Sequence, residues 1–95
     1  MRRFNLNKNQ NFIMEVFIMY NVEKFYGYLV TLGVECKFIR GAESAYDETI
    51  IVGRGYKRAI IYSTYQSWIL ETKTNLYILG TVDEVMMNLR EEGII

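Results

Sequence analysis

The chain has 95 residues, 51% of them hydrophobic, and its 11 Lys and Arg balance 11 Asp and Glu. That length admits one domain, and that hydrophobicity with zero net charge excludes the disordered class. Neutrality also removes the global basic field of a nucleic-acid binder and the acidic surface of a DNA mimic.

Histidine and proline are absent and cysteine occurs once. Missing histidine takes away the commonest general base and metal ligand near neutral pH. A lone Cys36 forms no internal disulfide and no thiolate metal site. Arg2 and Arg3 ahead of an apolar run over 12–20 resemble a targeting signal only superficially: Glu15 interrupts the run and no small-residue cleavage site follows. No stretch approaches the roughly 18 apolar residues of a membrane span. The chain is therefore read as soluble and cytoplasmic, without a membrane partner.

In chain order, residues 1–11 are polar and Asn-rich and read as a mobile arm, leaving 12–95 as a single domain. Residues 12–20 are nearly continuously apolar, the pattern of a strand buried on both faces. Asn21 then offers an N-cap, Glu23 favours the positive helix end, and Val22, Phe25, Leu29 and Leu32 fall on one helical stripe that Gly33 closes. Gly27 lies inside that helix; it is read as a tight helix–sheet crossing, with helix–helix approach in a dimer as the alternative.

Val34, Cys36 and Phe38 alternate with Glu35 and Lys37, which predicts a strand with one buried face. Cys36 then fills core space instead of acting as a nucleophile. A loop follows over 41–47. Strands over 49–52 and 57–62 make a hairpin around Gly53, Arg54 and Gly55, and a second hairpin pairs 68–70 with 76–78. Thr81 and Glu84 form a capping box for a last helix, whose apolar face is Val82, Val85, Met86 and Leu89 and whose end is Gly93.

The two ends echo each other. Asn21, Val22 and Glu23 followed by Leu29, Gly33 and Val34 match Thr81, Val82 and Asp83 followed by Leu89, Gly93 and Ile94. The order β-α-β-β-β-β-β-α predicts an α+β, two-layer fold: a mostly antiparallel sheet of about five to six strands with two helices on one face. The first strand–helix–strand unit is expected to be a parallel crossover.

No residue set has the spacing of a catalytic or metal centre. Carboxylates of Asp83 and Glu84 are explained by capping, and Asp47 and Glu48 near Glu43 form a solvated acidic patch. Two features stand out. Arg54, Tyr56, Lys57 and Arg58 gather on a glycine-bearing hairpin, a shape able to grip an anion. Eight tyrosines and one tryptophan exceed what a small two-layer domain hides, and Tyr62, Tyr65 and Trp68 cluster on the middle strands with Lys73 as their only nearby cation.

This pattern points to a non-enzymatic protein-binding module, an inhibitor or regulator working by steric occlusion of a host protein and acting as a homodimer. Tyr62, Tyr65 and Trp68 are its expected anchors, and Arg54, Tyr56 and Arg58 its charged rim. The suggested setting is an anti-defence protein of a phage or mobile element, anti-CRISPR-like in action. The alternative is a nucleic-acid or nucleotide binder using the 53–58 hairpin. No cofactor, metal or catalytic residue is assigned.

Overall fold

The computed structural model describes residues 18–41 and 48–95. Among them the order is α1 (Val22–Thr31), β1 (Cys36–Arg40), β2 (Glu48–Arg54), β3 (Lys57–Thr64), β4 (Ser67–Glu71), β5 (Leu76–Leu79) and α2 (Val82–Glu91). The strands form one open sheet in sequential order, every neighbour antiparallel. The α+β two-layer expectation holds.

Register explains the layering. Phe38 pairs with Ile50, Ile50 with Ile61, Ile61 with Leu70, and Leu70 with Tyr77, so one row of apolar side chains crosses all five strands. Val52 beside Ala59, and Trp68 beside Leu79, extend the same face. Of these, Ile50, Val52, Ala59, Ile61, Trp68 and Leu70 join Val22, Phe25 and Leu29 of α1 and Val82, Val85, Met86 and Leu89 of α2 in one buried cluster, and Phe38, Tyr77 and Leu79 pack against it half-buried. Trp68 lies at its centre, its ring 5.0 Å from Phe25 and 5.9 Å from Tyr20.

The helix signals act as read. The Asn21 side chain accepts from the Lys24 N–H, and Thr81 and Glu84 complete a capping box. The echo is realised at the other ends too. Gly33 (φ 76°) donates to Val30 and Val34 to Leu29, while Gly93 (φ 75°) donates to Arg90 and Ile94 to Leu89. Both helices thus close with the same Schellman motif, each followed by an apolar residue packed on the core.

Two expectations need correction. The strand over 12–20 lies outside the described residues up to 17, and Ile18, Met19 and Tyr20 are not strand. Met19 and Tyr20 take positive φ, and the Asn21 N–H returns to the Ile18 carbonyl, which makes a tight turn into α1. The Tyr20 carbonyl accepts from Ser63 Oγ and its hydroxyl donates to the Gly80 carbonyl, fixing this turn to the sheet. The parallel crossover is absent from the described sheet. The arm over 1–11 also lies outside the described residues.

Gly27 is the second correction. Among the described residues, a Cβ at Gly27 would meet nothing within 4 Å, so no close crossing there requires the glycine. Gly53 is the opposite case, with φ 88° and a would-be Cβ 2.2 Å from the Lys57 carbonyl oxygen. Gly27→Ala should raise unfolding free energy by about 1 kcal/mol, the usual helix-interior difference. Gly53→Ala should lower it by at least about 2 kcal/mol, because a left-handed backbone and a backbone clash coincide. Urea denaturation of the two variants checks both signs.

Candidate functional site

The alternation that buries one face of the sheet presents the other. Its residues are Lys37 and Ile39 of β1, Thr49 and Ile51 of β2, Arg58, Ile60 and Tyr62 of β3, Ile69 and Glu71 of β4, and Leu76 and Ile78 of β5. Among the described residues, neither helix packs on this side. Ile51 and Ile60 are directly paired and half-buried, and Ile39, Leu76 and Ile78 are exposed. Tyr62 and Ile69, also directly paired, are buried yet stand apart from the helix-side cluster. The Tyr62 hydroxyl donates to the Glu71 carboxylate on the next strand. The result is two neighbouring apolar patches, Ile51–Ile60 and Tyr62–Ile69–Ile78; Lys37 and Glu71 flank the first in its row, Glu71 standing between Ile60 and Leu76, and Thr49 pairs with Ile39.

The residues expected to act as anchors are dispersed. Trp68 has no exposed surface and is a core residue, so it is corrected from a surface anchor. Its place in the alternating strand sends it to the helix side with Leu70, opposite to Tyr62 and Ile69. Tyr65 is 89% exposed at the β3–β4 turn, and Tyr56 is 82% exposed at the β2–β3 turn. These turns lie at opposite ends of β3, whose eight residues separate them by about 25 Å. Tyr62 and Arg58 are the members of the expected set that share the open face.

The 53–58 hairpin does not gather its cations. Arg54 and Lys57 are directly opposed and project to the helix side, whereas Arg58 pairs with Gly53 and projects to the open face. The turn itself is Gly55 and Tyr56, with Gly55 at φ 59°, the positive-φ first position of a type II′ turn. Arg54 is held by Glu35 at 2.6 Å. Together with Lys57 it lines a cleft of about 420 Å³ with Gly33, Val34, Gly53 and Ile94, where both helices end. Helix C-termini carry partial negative charge, and α1 has no basic residue in its own last turn. Arg54 and Lys57 supply that charge from the sheet. A convergent phosphate grip would need all three cations on one side.

Arg40 has a structural role: it bridges Glu23 of α1 at 2.9 Å and Glu48 of β2 at 2.8 Å, tying the first edge strand to a helix and a neighbour. Of the expected acidic patch, Glu48 is thus paired, and Glu43 and Asp47 lie outside the described residues. Burial pushes the Cys36 thiol up, away from the thiolate a nucleophile needs. No group of three or more His, Cys, Asp or Glu side chains among the described residues could hold a metal ion. No described helix is long and apolar enough to cross a membrane.

A sequence signal for the open face exists: Ile39, Ile51, Ile60, Ile69 and Ile78 occupy the strand positions between the core residues, so the middle strands are apolar on both sides. It is aliphatic, whereas the expected anchors are aromatic. Comparison with protein-family models, curated proteins and solved structures finds no match to this chain.

Tyr77 supplies a check on the helix side. Its hydroxyl donates to Glu92, which also accepts from Asn75 at 2.9 Å. That hydrogen bond, then burial, then the charges of Glu92 and Glu91 raise the Tyr77 phenol above the ordinary tyrosine value. A raised folded-state value stabilises the fold while the phenol is protonated, and this contribution is lost as pH rises through the shifted value. Alkaline ultraviolet titration should show a late-titrating component from Tyr77 that Glu92→Gln returns toward the ordinary range and Tyr77→Phe removes.

Proposed function

We propose that this protein is a non-enzymatic binding module that occludes a surface of a protein partner with the open face of its sheet. The observation that carries this reading is the exposed Ile39, Leu76 and Ile78 together with the half-buried Ile51–Ile60 pair, all on the side of the sheet away from the helices. Scattered exposed apolar residues are ordinary on any protein, but an aligned set rimmed by charge is the anatomy of a recognition surface. The exposed aliphatic side chains release water on contact, over a floor formed by the buried Tyr62 and Ile69. Lys37, Arg58 and Glu71 set orientation from the rim.

Steric occlusion suits a chain without histidine and with a single, unactivated cysteine. A small regulator of a host protein, of the anti-defence kind that phages and mobile elements carry, is the setting we assign. A flat sheet covers an area without needing a pocket, which is what blocking a larger protein's surface requires. Of the expected contacts, Arg58 remains in this interface, and Tyr62 lies buried beneath it. Tyr56 and Tyr65 flank it at its two ends, and Arg54 belongs to the support behind it.

The test is affinity capture from host lysate with wild-type bait beside Ile51→Asp/Ile60→Asp bait, followed by hydrogen exchange on the recovered complex. Binding should be lost in the double variant while circular dichroism is unchanged, and protection should map to β2, β3 and β4. A partner captured equally by both baits would overturn the reading. Within the interface, Arg58→Ala should weaken binding by about tenfold, the effect of losing one rim contact worth about 1.4 kcal/mol, measured by titration of the purified pair.

A further inference from the structure

The two edges of the sheet are built differently. Edge strand β1 carries Lys37 and Arg40, and Arg40 is engaged by Glu23 and Glu48. Charges on an edge are the usual guard against pairing with another chain. Edge strand β5 reads Leu76, Tyr77, Ile78 and Leu79, with no charge and no proline. Leu76 and Ile78 are 62% and 69% exposed, the largest exposures of any aliphatic side chain on the sheet.

The backbone of β5 follows the same parity. The Thr72 N–H donates to the Asn75 carbonyl, so Thr72 and Asn75 form a hydrogen-bonded pair. In an antiparallel ladder such pairs recur at every second position. Tyr77 and Leu79 therefore direct their N–H and C=O groups to β4, while Leu76 and Ile78 direct theirs outward. Gly80 shares the outward parity and confirms it: its N–H donates to Glu84 and its carbonyl accepts from Tyr20. Beyond that closed end, the N–H and C=O groups of Leu76 and Ile78 meet no strand in the described sheet.

We infer that the occupant of this edge is a second copy of the same chain, its β5 pairing antiparallel with the first about a two-fold axis at Tyr77. An axis there sets Leu76 opposite the partner's Ile78, and Ile78 opposite the partner's Leu76. Both are hydrogen-bonded pairs, so the four outward backbone groups of each strand are satisfied by four reciprocal bonds and none is left over. The same register lays each exposed Leu beside an exposed Ile on the open face. It also carries Lys73, at the β4–β5 turn, toward the first turn of the partner's α2, where Asp83 and Glu84 sit. Opposite charges meet across the axis at both ends.

This self-complementarity favours a copy over an unrelated peptide. Among the described residues the unpaired edge is only four residues long, bounded by the Thr72–Asn75 turn and by Gly80, and the two-fold uses all of it. The product is a continuous ten-stranded sheet whose two open faces lie side by side, a surface twice as wide for a partner. Leu76 and Ile78 belong to both the edge and the open face, but the inference is read from the mass of the free protein and the occlusion from partner capture, so each can fail without the other.

Two experiments test it. Sedimentation velocity of the wild-type chain should give the mass of a dimer, and Ile78→Lys should give that of a monomer with an unchanged circular dichroism spectrum, since Ile78 is 69% exposed and its side chain packs little within one chain. Ile51→Asp/Ile60→Asp, on the face, should remain dimeric while losing the captured partner. In a Cys36→Ser background, Tyr77→Cys should oxidise to a disulfide-linked dimer, because the axis brings the two residues together as a non-hydrogen-bonded pair, the closer kind. Lys37→Cys on the opposite edge should not. A wild-type monomer, a dimer indifferent to Ile78→Lys, or equal crosslinking from both edges would overturn the inference.

Discussion

One row of side chains, Phe38, Ile50, Ile61, Leu70 and Tyr77, crosses the sheet on the helix side, and the pairing register that aligns it governs the rest of the molecule. A slip of one residue in any central strand would send half of that row to the opposite face. The helices would then pack on a broken surface, and Trp68 would lose the enclosure given by Phe25 and Tyr20. Register also decides which residues remain outside. The open face is the complement of the core face, so the same constraint that buries Leu70 presents Ile69.

The two helices are fixed to this sheet by equivalent devices. Each begins at a side-chain cap and ends in a glycine-closed motif that turns the next apolar residue, Val34 or Ile94, back onto the core. Their negative ends converge on one cleft, where Arg54 and Lys57 provide the opposite charge from the β2–β3 hairpin. These cations look like ligand contacts in a linear reading. In three dimensions they serve the scaffold, and Arg58 is left to the surface because strand alternation separates it from its neighbour.

Covered and uncovered surfaces thus divide the labour. The helix side supplies cohesion through large fully buried groups such as Trp68, Phe25, Ile61 and Leu70. The open side carries apolar patches without a described covering layer, and β5 carries an uncharged edge. Both are costly to leave in water, the face through apolar exposure and the edge through unpaired backbone groups. A partner on the face and a second copy along the edge would satisfy each by the interaction it lacks.

The helices were legible in the sequence because their signals are local: Asn21 and Thr81 as caps, the 3.6-residue apolar stripes, and Gly33 and Gly93 at the ends all act within a few residues. The hairpin through Gly55 was legible for the same reason, although its turn sits one position later than the glycine pair suggests. The β3–β4 turn was not, because Gln66 takes the positive φ there and no glycine or asparagine marks it. The site was legible only in part. Composition determined that rings and aliphatic groups outnumber what a small core can hide, but not which of them would be hidden. Only tertiary structure decided that Trp68 goes inward and Tyr62 stays on the open face, that Arg54 supports helix ends, and that Leu76 and Ile78 meet water. Those outcomes depend on which strand lies beside which and on the parity of their pairing, and neither is encoded in any short stretch of chain.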